Sequence, residues 1–530
     1  MRQHRLTDRA RSASSSSCVV RNTWHRPSGR AAATIKAELT VDRPKLATPP
    51  ETSSGSSSDG QQQLQQQASA CPFLASLPSP PKVKIPWHKR FQQLFAPQQF
   101  QATVLGGSSS SVVQVDKAIG FTNFVMPSDP ELVRDAFAGE LDGTTLQSNI
   151  KSFVALMGEH SLVLVQEPRH KYLRGLLQPA FSGSAISGYL PAIQALVGRH
   201  LAEWEAAGEA GVQGYDGLKL LTYEFIISIT LGREYSRQEV LALSEHYKQW
   251  TSGFLAWPWL DLPYTAFGRS MRARNALLDH FQQAVTAARS KLAAGQQVPG
   301  IIGSLTAAVD EEGNRLTDLE ITENILLLLL AGHDTSSTTL TRLLSVLHDT
   351  PEVVQQLRQE QAAVLARHGE QLTAAAIKDM EYADAVIRES LRLDPVVAGL
   401  FRVAAKDIDM GGYMVPKDTP ILLPLHHLAV NDARWAGQTG QEDPASFHPE
   451  RMLTEEGRQP GAQMPFGSGP RFCLGERLAM AEMKVVLALL MRQYDFSVDN
   501  NTEWMQAVGR VPKNGLPLKL RRLAQPVAAV

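Results

Sequence analysis

The chain has 530 residues, 43% hydrophobic, 20% charged and 7% aromatic, a balance that excludes collagen-like, coiled-coil and wholly disordered proteins. Its 52 basic and 53 acidic side chains leave a formal charge of −1, which offers no electrostatic footprint for nucleic acid or an acidic membrane. Three cysteines, Cys18, Cys71 and Cys473, are too few for a disulfide-stapled secreted scaffold, so any that matters must do so chemically.

Residues 1–37 carry seven Arg, one Lys, six Ser and one acid, Asp8, with no long apolar stretch. This is the pattern of an organelle transit peptide, assigned to residues 1–47, although the same composition permits a disordered basic tail. A plastid address is expected, with a mitochondrial one second. Without residues 1–37 the chain holds 44 basic and 52 acidic side chains, so the cationic segment conceals an acidic body of net charge −8. Residues 48–85 read as a disordered linker, with the Ser53–Ser58 and Gln61–Gln67 runs and the prolines at 78, 80 and 81. One large domain is expected over residues 86–525.

Helical periodicity dominates that domain. Thr317 and Glu320 form a capping-box pair opening a helix that runs until Pro351 approaches, roughly 48 Å at 1.5 Å per residue. A second helix spans Tyr382–Leu393 and stops before Pro395; a third follows Cys473, from Leu474 to Met491. Short strands are expected at Gly412–Val415 and Thr419–Leu423. The fold class is mainly α with a small β part. No run of 18 apolar residues occurs: the best, Ile325–Leu330, is followed by Gly332, His333 and Asp334.

Chemistry concentrates in Phe466-Gly467-Ser468-Gly469-Pro470-Arg471-Phe472-Cys473-Leu474-Gly475. A lone cysteine in a Gly- and Pro-punctuated loop feeds directly into a helix, where free backbone N–H groups and the cations Arg471 and Arg477 favour a thiolate. Gly469 and Gly475 allow backbone to approach a flat ligand, and Phe466 offers a face to pack on it. The arrangement suits a thiolate ligating haem iron. Taken alone, such a cysteine is more often a small core hydrophobe.

The pattern F-x-x-G-x-R-x-C-x-G resembles the signature of the cytochrome P-450 superfamily, and the resemblance extends over nearly all of residues 86–525. It implies a single haem domain of that fold, haem b as cofactor and Cys473 as axial iron ligand. Ala331-Gly332-His333-Asp334-Thr335 lies mid-helix, with Ala331 and Thr335 four apart on one face. Gly332 leaves room there for a planar group, and Thr335 can bond back one turn and open a niche for water. The resemblance makes Asp334 and Thr335 the acid and alcohol that manage protons during dioxygen activation; His333, with no second His at ligand spacing, is not expected to bind metal. Glu389 and Arg392, at i and i+3, read alone as a surface ion pair. The family match joins them to Arg451 of Pro444-x-x-Phe447-x-Pro449-Glu450-Arg451 in a buried structural network near the cysteine. His170, Arg174, Arg402 and Arg471 look like partners of the haem propionates.

The segments matching the family's pocket are apolar: Trp250, Phe254, Trp257 and Trp259, and Val396 to Phe401. A lipophilic substrate is implied. The stretch from Leu393 to Arg402 with Gly412-Tyr413 looks most like the retinoic-acid hydroxylase branch and its cyanobacterial relatives, pointing to an isoprenoid, carotenoid-derived or sterol-like molecule. Oxygen insertion from O2 then needs an external donor, a ferredoxin or an NADPH-dependent reductase, since the chain has no dinucleotide fingerprint. Arg477, Lys484 and Arg492 either present cations to an acidic partner or form a solvated helix face. A monomer without transmembrane anchor is expected. The alternatives are an O2-independent hydroperoxide isomerase or dehydratase of the same family, and a non-catalytic haem carrier or sensor.

Overall fold

The computed structural model describes residues 72–528 apart from 91, 117–122, 255, 257–260, 437–442 and 460–462. The segment assigned as a transit peptide, most of the linker, and Trp257 and Trp259 lie outside the described residues. Among the helices of the described residues, seven carry or support the cysteine loop and its surroundings: α1 Pro130–Ala138, α2 Arg169–Leu177, α3 Gly214–Leu231, α4 Arg237–Thr251, α5 Asp318–Asp349, α6 Glu381–Leu393 and α7 Glu476–Gln493. Helix α5 starts as its sequence requires. Thr317 Oγ1 accepts from the Glu320 N–H at 3.2 Å, and Glu320 Oε2 accepts from the Thr317 N–H at 2.9 Å. It buries 22 of its 32 residues, the mark of a helix threaded through a core rather than lying on it. Helices α3, Ala266–Ala293 and α6 pack around it.

Helix α7 is similarly enclosed, with 14 of its 18 residues buried. For two of its three cations neither reading holds, the partner-facing stripe or the solvated face. Lys484 pairs with Asp384 at 2.9 Å, and Arg492 donates to Gln361 Oε1 and to the Glu370 carbonyl, each at 3.0 Å. Their long stems carry both charges out of an apolar helix to partners inside the protein, so neither is presented to solvent. Only Arg477 of the three is exposed.

The β part is a six-stranded mixed sheet built from β1 Lys82–Val83, β2 Val112–Val115, β3 Phe124–Pro127, β4 Thr145–Gln147, β5 Leu400–Ala404 and β6 Pro420–Leu423, in the order β1-β2-β3-β6-β5-β4. Tyr413–Val415 forms a separate hairpin with Ile408–Met410. Lys82 and Val83 pair with Gln114 and Val115, and Ile85 is buried, so the folded domain begins ahead of the boundary placed at 86. In β5, Arg402 stands opposite Gln147 and Ile421, which brings its side chain to the end of α1. No helix among the described residues is long and apolar enough to cross a membrane.

Candidate functional site

Helix α5 is closed on most sides and open on one. Of the described residues from Ile321 to Leu340, Ala331 alone is exposed, and Leu327 and Thr335, one turn away on either side, are half-buried. Spacing of four places these three on one stripe. Thr335 Oγ1 donates to the Ala331 carbonyl at 2.6 Å, the expected back-bond, and the helix continues unbroken through it.

The neighbouring residues face elsewhere, and two expectations change. A Cβ on Gly332 would lie 2.7 Å from Ile226 Cδ1 of α3, so this glycine lets two helices pack closely rather than making room for a planar group. Asp334 is buried, 2.8 Å from Lys219 Nζ and accepting from Tyr247 Oη at 2.5 Å. Burial alone would raise its pKa, but the Lys219 ammonium and the Tyr247 hydrogen bond help hold the carboxyl below its ordinary value. Asp334 therefore joins α5 to α3 and α4 and does not stand beside the Thr335 hydroxyl. His333 is a core histidine: edge-on to Tyr223 and Tyr247, within 3.2 Å of Thr222 Oγ1, and kept neutral by burial with its pKa lowered to about 3.

Across the fold, the cysteine loop is built without help from the thiol. The Cys473 N–H donates to the Phe466 carbonyl at 3.0 Å, and Gly467 and Gly469 turn the chain at φ of 76° and 68°. A Cβ on Gly469 would lie 2.5 Å from the Phe137 carbonyl, so the close approach it permits is to α1, not to a flat ligand. Phe466 is half-buried against the core. Gly475, at the N-terminus of α7, would place a Cβ near no protein atom. Cys473 is exposed and free of any disulfide. The surrounding protein still raises its thiol pKa by desolvation, and the Gly475 N–H and Arg174 offset this in part. The thiolate-favouring cation is thus Arg174 of α2; Arg471 turns away.

Arg471 donates through Nε to Glu140, through Nη1 to the Leu162 carbonyl at 3.4 Å, and through Nη2 to the Val165 carbonyl at 2.7 Å and Gln166 Oε1 at 3.2 Å. Arg402 Nε lies 3.1 Å from the same Glu140 carboxylate. His170 is buried, its Nδ1 3.1 Å from Glu167, and burial followed by the charge of Arg471 lowers its pKa. It is a neutral hydrogen-bonding group there rather than a cation.

The structural network expected near the cysteine is present and fully buried. Arg392 forks onto Glu389 at 2.7 and 2.8 Å, and Arg451 Nη1 reaches the same carboxylate at 3.3 Å.

An exposed thiol at a helix N-terminus, a glycine with open space beside it, an open stripe on an otherwise buried helix and a cluster of arginines fit an acidic macrocycle with a thiolate-ligated metal. The cytochrome P450 family model matches residues 113–516. The chain belongs to the cytochrome P450 family. Similar proteins include cytochrome P450 120 of Synechocystis sp., 30% identical over 69% of this chain and 80% of that one. Abscisic acid 8'-hydroxylase 2 of Arabidopsis thaliana is 29% identical over 69% of this chain and 74% of that one. A cyanobacterial P450 solved with retinoic acid bound superposes with a TM-score of 0.70 at 27% identity, over 84% of this chain and all of that one. The protein is a P450 monooxygenase with haem as its cofactor.

Residues the sequence did not single out support the elements that carry the P450 site: Glu140, Lys219, Tyr247 and Glu482. Glu482 of α7 is fully enclosed, faces Ser336 of α5, and burial pushes its pKa up to about 8. A carboxyl raised from the ordinary 4.5 favours folding in its protonated form; that contribution is complete below pH 4.5 and lost as pH rises through about 8. The shift is worth on the order of 5 kcal/mol. Glu482→Gln, which cannot ionise, is expected to be the more stable form at pH 9 and to flatten the fall in thermal midpoint between pH 5 and 9. A parallel decline in both proteins would show that Glu482 titrates normally.

Proposed function

We propose that this P450 hydroxylates an isoprenoid or carotenoid-derived lipophile with electrons from an external donor. The observation that carries the reading is the apolar lining beside the open stripe of α5. The tip of the hairpin formed by Trp504–Gln506 and Arg510–Pro512 meets both α5 and the Val396 segment, where a Cβ on Gly509 would lie 2.8 Å from Thr338 Cγ2 and 3.1 Å from Val396 Cγ1. The nearby cations are engaged within the protein, Arg510 and Arg342 both pairing with Asp394 at 3.1 and 3.5 Å. Selection therefore rests on shape and apolar contact. The names of similar proteins, with abscisic acid and retinoic acid in them, support an isoprenoid of that size. Trp250 is not part of this lining: it is wholly buried and donates to the Leu156 carbonyl at 2.9 Å.

Haem held by Cys473 supplies the dioxygen-activating chemistry, with electron donation from sulfur favouring O–O cleavage. His170, Arg174, Arg402 and Arg471 hold its carboxylates in this reading, and the Thr335 hydroxyl holds and passes protons on the open face of α5. Thr335→Ala is accordingly expected to keep the thiolate spectrum yet lower product formed per O2 consumed by roughly 100-fold, the low end for a positioned proton donor. Unchanged coupling would remove Thr335 from proton delivery. The substrate class is tested by titrating the Soret band with retinoic acid, abscisic acid, their methyl esters, a sterol and a fatty acid, followed by product analysis with a reconstituted donor. Saturable shifts with the isoprenoids, acid and ester alike, are expected; a response to fatty acids alone would overturn the assignment. We further propose plastid import by residues 1–47 and a ferredoxin as donor, which a reporter fused to that segment and reconstitution with ferredoxin against a flavin reductase would decide.

A further inference from the structure

Glu140 is a carboxylate in an unfavourable place. It follows α1 by two residues, at the helix end where free carbonyls repel negative charge, and its side chain is only 1% exposed. An ion buried there persists only with cationic partners. It has two, from elements far apart in sequence: Arg402 of β5 and Arg471 of the cysteine loop. The Arg402 contact is ionic rather than an aligned hydrogen bond, since neither Arg402 Nε nor Glu140 Oε1 has a hydrogen-bond partner. Arg402 also lies over the Phe137 ring, 5.1 Å from its centroid, so the end of α1 and the turn after it each hold this guanidinium with one side chain.

The charges around this point do not cancel. Arg402 and Arg471 share a single carboxylate, and Arg174 stands by Cys473. With His170 neutral, the guanidiniums of Arg174, Arg402 and Arg471 outnumber the carboxylates of Glu140 and Glu167, a positive excess that suits the acidic haem. We propose that Glu140 is the positioning residue of the haem site: it fixes Arg402 and Arg471, trims their charge to balance the haem carboxylates, and so holds down the reduction potential of the iron. This rests on the reading that the three arginines face those carboxylates.

The test is dye-mediated redox titration of haem-loaded Glu140→Gln, Glu140→Asp and Arg402→Gln. Removing a negative charge favours the more negative ferrous form. Glu140→Gln is expected to raise the ferrous-to-ferric ratio at fixed potential about tenfold, about 59 mV for a one-electron couple. Glu140→Asp, which keeps the charge, should stay within about twofold, and Arg402→Gln should lower the ratio. If Arg402→Gln shifts the ratio and Glu140→Gln does not, the proposal for Glu140 is overturned while the arginine reading stands. If neither moves it, the arginine reading itself is wrong. Should Glu140→Gln fail to load haem, the charge-balanced double variant Glu140→Gln/Arg402→Gln decides: restored loading supports the proposal, and continued failure overturns it.

Discussion

Replacing Cys473 with alanine is expected to abolish the ferrous carbon-monoxide band characteristic of thiolate ligation and to reduce oxygenation to background, while leaving the protein folded. The two halves of that expectation have separate causes. Cys473 is exposed and free, and among the described residues no other thiol can take its place. The loop, by contrast, is fastened by other atoms: the Cys473 N–H on Phe466, Gly469 against the Phe137 carbonyl, and Arg471 on Glu140, Val165 and Gln166. None of these passes through the Cys473 side chain. Far-UV circular dichroism should therefore be unchanged, while the thermal stabilisation that haem confers on the wild type shrinks, because binding to the native state is what supplies it. Cys473→Ser is the stricter case, since it keeps shape and loses only the soft donor. A thiolate band surviving either change would disprove the ligand assignment.

Local signals and distant contacts divide what the sequence reveals from what it hides. The extent of α5 is written in Thr317, Glu320 and Pro351, and the capping box forms atom for atom. The stripe of Ala331 and Thr335 follows from helix geometry alone. Gly332 and Gly469 were legible as places needing no side chain, but what each must avoid, Ile226 or the Phe137 carbonyl, depends on an element more than a hundred residues away. The cations of α7 misled for a related reason: spacing along a helix gives a face, and only the tertiary fold says whether that face meets water. Glu140 carried one readable warning, an acid at the negative end of a helix. Its partners lie at 402, in a strand of the mixed sheet, and at 471, in the cysteine loop, brought together only by the tertiary fold.

Arg392→Met is expected to destabilise the protein by about 3–5 kcal/mol, the cost of leaving a buried charge without its main partner. Read in isolation, Glu389 and Arg392 are an i, i+3 surface pair contributing little. Their burial changes the sign of the consequence, because both side chains are wholly inaccessible to solvent. Arg392 spends its fork on Glu389 and Nη1 on the Ala429 carbonyl at 2.8 Å. Glu389 also accepts the His448 N–H at 3.0 Å and Arg451 at 3.3 Å. Next to Arg451, Met452 Sδ accepts from Gln463 Nε2 at 3.0 Å, at the start of the cysteine loop, so loosening this network should cost haem loading as well as stability. An apolar double replacement, Glu389→Leu/Arg392→Met, should not recover the loss, because Arg451, the His448 N–H and the Ala429 carbonyl would remain buried without those partners. Arg392→Lys keeps the charge but loses the bidentate geometry and should fall between wild type and Arg392→Met. Denaturant midpoints and haem content of the three variants measure this order. Arg392→Met within about 1 kcal/mol of wild type, the ceiling for a solvent-exposed pair, would return these residues to the surface role their spacing alone implies.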